Sequence, residues 1–196
     1  MDCAPKLRNR AYLQNVAAKS LPQRALRAVG HSAWSERLAR AQELAYGPLI
    51  EQVRRSPLHT DVLGHSVHPP LTDITTGCWL ATTVLDVAGG PDSRRGATLL
   101  ATVGLLASVP TAVAGAADWS ELSGEQRRIG AVHAVGMDAA IFLFAASVLT
   151  RLRGNHQKAT KLAAAANTTA AAAGFLGAHL ALHHGTARRP AGDEKL

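Results

Sequence analysis

GATLLATVGLLASVPTAVAGAADW, Gly96–Trp119, and IGAVHAVGMDAAIFLFAASVLT, Ile129–Thr150, decide the fold of this chain. At ~1.5 Å of rise per helical residue, each is long enough to cross a hydrocarbon core of about 30 Å. Lipid offers the backbone no hydrogen-bond partner, so a helix is the workable form for such a run. Two further apolar segments flank this pair: LTDITTGCWLATTVLDVAGG, Leu71–Gly90, and ATKLAAAANTTAAAAGFLGAHLALHH, Ala159–His184. The Leu71 segment is the weakest of the four, because Asp73, Asp86 and several threonines lower its hydrophobicity.

The connections GGPDSRRG, SELSGEQRR and RLRGNHQK are short, which makes sequential neighbours antiparallel. The expected fold is therefore all-α: a four-helix, up-down-up-down transmembrane bundle within residues 61–186, with spans at about 71–90, 96–117, 129–150 and 159–184. Alanine and glycine in the second and fourth spans permit close helix approach. Pro110 is expected to kink the second span.

Residues 1–60 read as a basic extension, and 187–196 as a polar tail. Up to Gly64 there are ten Lys/Arg against five Asp/Glu. Between Ala33 and Arg55, Trp34, Leu38, Ala41, Leu44, Tyr46, Leu49, Ile50 and Val53 recur at roughly helical spacing among arginines, with Pro48 expected to break or kink the helix. A basic amphipathic helix ahead of a span either lies in the headgroup plane or packs on its own bundle as a soluble helix would. The stretch Met1–Asn15 lacks the apolar core of a secretory signal peptide, so insertion is expected from the spans themselves.

The net charge of +7 comes with only 4% aromatics and no nucleic-acid motif, which points to anionic lipid headgroups and excludes nucleic acid as the partner. Cys3 and Cys78 form neither a disulfide framework nor a CxxC site. No nucleophile–base arrangement, P-loop or dinucleotide fingerprint is present.

Helix parity then places the polar residues. The starts of odd helices and the ends of even ones share a face, which gathers His65, His68, Asp73, Asp118, Trp119, Arg127, His133, His179, His183 and His184. Asp73, His133, Asp138 and His179 are the ones expected to be buried. Arg94, Arg95, Arg151, Arg153, Lys158 and Lys161 mark the opposite face as an ordinary basic flank.

Ionisable groups at membrane depth are costly and point to function. Two histidines from facing helices suit the axial positions of a b-type haem. Three histidines, or histidines with a carboxylate, suit zinc, iron or copper. His and Asp together can also relay protons. Against these stands a structural reading, in which Asp–His contacts only clamp helices together.

GHSVHPPLTD (Gly64–Asp73), VPTAVAGAADWSELSGEQRRIGAVHA (Val109–Ala134) and GFLGAHLAL (Gly174–Leu182) together resemble the DUF2231 family of predicted bacterial membrane proteins. The resemblance spans about Ser56 to Thr186. It carries the family's polar residues onto His65, His68, Pro69, Asp73, Asp118, Trp119, Arg127, His133 and His179. Pro70 departs from the Leu or Met that commonly follows His-Pro in the family, which alters the geometry beside His68. Some relatives resemble fusions to Rieske iron–sulfur or cytochrome domains, which implies redox work.

The expected function is an inner-membrane protein that holds haem b or a transition metal and serves a redox or membrane-complex partner. The candidate cofactor residues are His68, His133, His179, Asp73, Asp118 and Arg127. His65, His68, His133, His179 and His183 are the candidate metal ligands. The alternative is a structural or assembly subunit of a membrane complex. Charge counts near the spans balance, and the basic tail favours cytoplasmic termini.

Overall fold

A computed structural model describes residues 20–56, 58–59 and 65–186; the expectations for residues 1–19 and for the tail 187–196 lie outside them. Among the described residues six α-helices follow one another: α1 (Leu21–Gly30), α2 (Ala33–Val53), α3 (His68–Ala88), α4 (Arg94–Trp119), α5 (Gly124–Leu152) and α6 (His156–His183). A 3₁₀ turn, Pro91–Ser93, leads into α4.

Helix α3 begins three residues before the apolar run that foretells it. Pro69 and Pro70 sit in its first turn, where a missing N–H costs nothing because those donors have no intrahelical partner. Helices α2 and α4 run on through Pro48 and Pro110, so neither proline ends its helix.

The last four helices pack as sequential neighbours, α3 on α4, α4 on α5 and α5 on α6, and α3 also meets α6 to close the ring. Small residues set the spacing. Ala97, Ala101 and Gly104 of α4 and Ala159, Ala163 and Ala166 of α6 are buried at helical intervals. Across the centre, Trp79 of α3 stacks on Phe144 of α5 with ring centres 4.3 Å apart. Gly104 makes room for the indole: a Cβ there would lie 2.5 Å from Trp79 Cδ1.

Large apolar side chains also point outward, among them Leu80, Leu106, Phe142 and Leu182. By length and composition, Pro91–Trp119 and Gly124–Leu152 qualify as candidate membrane spans, each of 29 residues with mean hydropathy 1.8. Only 28% and 22% of their most apolar windows are buried, whereas a core helix of a soluble protein would be mostly covered.

Helix α2 lies against α4 and α5 through Ala39, Ile50, Trp119 and Ala131. Trp34, Leu44 and Leu49 of the same helix face outward. Polar contacts fix its register: Gln42 Nε2 donates to the Ala131 carbonyl at 3.3 Å, and Arg127 pairs with Glu43 at 2.5 Å.

Candidate functional site

Histidines from α3 and α5 meet near one end of the ring. The His68 and His133 rings lie 6.5 Å apart, centre to centre, and stand nearly perpendicular at 82°. Each is fixed in the same way. His68 Nδ1 lies 2.9 Å from the Thr111 carbonyl of α4, and His133 Nδ1 lies 2.8 Å from the Ala173 carbonyl of α6. A carbonyl oxygen only accepts, so Nδ1 carries the proton in both rings. That leaves Nε2 of each as the nitrogen able to bind a ligand.

Glycines hold the rings close to their partner helices. A Cβ on Gly115 would fall 2.7 Å from His68 Cε1, and one on Gly177 would fall 2.8 Å from His133 Cε1. Gly115 is one turn beyond Thr111 and Gly177 one turn beyond Ala173, so each imidazole lies across a single helical turn that offers a carbonyl and no side chain.

Ser66 steadies the start of α3 beside this pair. Its hydroxyl accepts from the His68 N–H at 3.0 Å and donates to Asp118. Asp118 also lies 3.6 Å from His59 Nδ1, while His59 Nε2 is 3.0 Å from Glu121. Asp118 thus supports the peptide segment that leads to His68.

The remaining sequence candidates separate from this pair. Asp73 is exposed on α3. Asp138 is half-buried and accepts from Tyr46 Oη at 3.4 Å. That carboxylate raises the Tyr46 phenol above its ordinary value, with burial adding to the shift. Arg127 lies over the Trp119 ring at 5.2 Å besides pairing with Glu43. His65 is exposed, with Nδ1 2.9 Å from the Ser66 carbonyl.

His179 and His183 form their own group with His184 at the end of α6. Their ring centres are about 5 Å apart, at 4.9, 5.1 and 5.0 Å. Their ligand atoms fall within 4.8 Å of one another, and His183 and His184 are exposed. His184 also contacts Gln126 at 3.2 Å.

Sequence reasoning missed a second polar contact at the opposite end. Arg151 of α5 and Asp86 of α3 form a buried two-pronged ion pair, with Nη1 donating to Oδ1 at 2.8 Å and Nη2 to Oδ2. In the sequence Arg151 reads as one residue of a basic flank and Asp86 as a polar residue that weakens a span; only the register between α3 and α5 brings them together.

Residues 64–190 match the sequence pattern of a family described as a predicted membrane protein, DUF2231. No curated protein and no solved structure matches the chain.

Proposed function

The chain belongs to the DUF2231 family of predicted membrane proteins and so contacts lipid, and from that premise we propose that α3–α6 cross the bacterial inner membrane as a four-helix bundle in which His68 and His133 bind a transition-metal centre. The outward apolar residues of all four helices then face lipid, and α2 lies along the headgroups with one face on the bundle. The termini lie on the cytoplasmic side. The centre is haem b or a single metal ion, and its work is electron transfer to or from a membrane or redox partner.

One observation carries this reading: both imidazoles donate Nδ1–H to backbone carbonyls and keep Nε2 for a ligand. Metal-binding histidines are oriented by such second bonds, which fix the tautomer and raise ligand basicity. The same bonds favour a second reading, because each also ties two helices together. On that reading the pair is structural and the protein is an assembly subunit.

The absorption spectrum and metal content of the protein purified in mild detergent separate the two. A Soret band that shifts on dithionite reduction, or stoichiometric iron, copper or zinc, both lost in His68→Ala and His133→Ala, is expected. Variants that lose thermal stability while wild-type protein holds no chromophore or metal, even after haem supplementation of the host, would leave the structural reading.

A further inference from the structure

We infer that α3–α4 and α5–α6 are two copies of one hairpin, and that the site between them takes one planar metal–macrocycle of the haem type, with His68 and His133 as equivalent axial ligands. This rests on the metal-centre reading above and narrows it.

The register is the evidence. Along α3 and α5, paired features recur 65 residues apart: His68 and His133, Trp79 and Phe144, Thr82 and Ser147, Asp86 and Arg151. Three of these pairs lie opposite each other across the bundle, as the perpendicular imidazoles, the stacked aromatics and the ion pair. Residues that meet their own equivalents mark a two-fold axis running along the bundle.

Helices α4 and α6 repeat at 62 residues, the three-residue difference falling in the hairpin loops. The five buried positions of α4 from Ala97 to Thr111 each land on a buried position of α6, from Ala159 to Ala173. A shared helical period would align buried positions by itself. It would not align the chemistry. His68 bonds the Thr111 carbonyl and rests on Gly115, and His133 bonds the Ala173 carbonyl and rests on Gly177. Thr82 Oγ1 donates to the Ala97 carbonyl at 3.5 Å, and Ser147 Oγ donates to the Ala159 carbonyl at 2.8 Å. The sequence keeps a trace in His68–Asp73 and His133–Asp138, two His-x-x-x-x-Asp stretches at the same interval.

Two equivalent donors on an axis restrict the ligand. Among the described residues, the group of three or more metal-ligating side chains close enough to share an ion is His179, His183 and His184, which excludes His68 and His133. A zinc ion held by two protein nitrogens would lack the three or four protein ligands it takes. A haem iron has four ring nitrogens of its own and needs only two axial donors. Two metal–nitrogen bonds of about 2 Å each, plus the width of the imidazoles, space axial ring centres about 6 Å apart. The observed spacing is 6.5 Å.

The full chain in mild detergent is titrated with haemin, and in parallel with Zn²⁺ and Cu²⁺. One haemin per chain with a six-coordinate spectrum is expected. His68→Met and His133→Met should give matching altered spectra. His68→Ala and His133→Ala should each weaken haemin binding by about tenfold or more, and free imidazole should restore the six-coordinate spectrum in both. Unequal behaviour of the paired variants, or binding of Zn²⁺ or Cu²⁺ at these histidines without haemin, would overturn the inference and leave the metal-centre reading standing. Binding of neither haemin nor metal would remove that reading too.

The hairpin equivalence has a ligand-free check in thermal unfolding. Exchanging Trp79→Phe and Phe144→Trp together with Gly104→Ala and Ala166→Gly moves each aromatic with the small residue that accommodates it. This variant should unfold nearer the wild type than the aromatic exchange alone. The reverse order would mean that the two hairpins are not equivalent.

Discussion

Side-chain direction on a helix turns by about 100° per residue, and at the scale of single residues this decides which polar groups share a site. Asp73 is five residues beyond His68 and so points well away from it, to the exposed side of α3. His179 is two residues beyond Gly177, nearly opposite the turn on which His133 rests, and so it joins His183 and His184 instead. The glycines test the placement of the rings. Gly115→Ala and Gly177→Ala should destabilise by about 1–3 kcal/mol, because a new Cβ meets an imidazole that a carbonyl bond holds against that same helical turn. Gly174→Ala, where a Cβ meets nothing within 4 Å, should gain about 0.5–1 kcal/mol from helix propensity alone. Thermal unfolding of the three variants decides: equal effects would mean the rings move aside freely. Parity in the sequence was enough to bring His68 and His133 to one end. It carried no angular information, so it also gathered Asp73, Arg127 and His179, which the helix rotation sends elsewhere.

At the scale of elements, the long helices were legible because each carries an apolar run set off by short loops, although α3, α5 and α6 start three to five residues ahead of those runs. The docking of α1 and α2 was not legible, since it depends on contacts between residues about ninety positions apart. Arg128 of α5 makes two of these contacts. Its Nε donates to the Gly30 carbonyl at 2.5 Å, at the end of α1, and its Nη1 donates to Glu36 at 3.1 Å, in the first turn of α2. The Arg128 and Arg40 guanidiniums hold the Glu36 carboxyl below its usual 4.5. A carboxyl lowered in the folded state contributes stability above its ordinary pKa and loses it as pH falls through the depressed value. Arg128→Ala should therefore lower the Tm by a few degrees near neutral pH, and the gap to wild type should narrow on acidification below that range. Trypsin cleavage at Arg24 and Arg27 should rise in the variant at neutral pH. A gap of constant size from pH 7 to pH 3 would show that Glu36 takes no part in holding α2.

For the whole molecule, the distance between the His68–His133 pair and the Asp86–Arg151 pair matters most. The two levels are 18 residues apart on both α3 and α5, or ~27 Å along a helix, close to the thickness of a hydrocarbon core. The polar contacts of the axis thus stand at its two ends, with the Trp79–Phe144 stack between them. Side-chain exposure is 0% for Arg151 and 5% for Asp86, so removing either partner strands a charge away from water. Breaking such a pair costs about 3–5 kcal/mol, whereas replacing both members with apolar residues of similar volume is often close to neutral. Arg151→Ala and Asp86→Ala should each fall in the costly range, read as thermal unfolding in detergent. The double variant Asp86→Leu/Arg151→Met should recover most of that loss. If the double variant is as unstable as the singles, the pair does more than neutralise itself, and its geometry must set the spacing of α3 and α5. That spacing also places the two histidines, so a defect in haemin binding by this double variant, 27 Å or so from the ligand, would show that the axis transmits it.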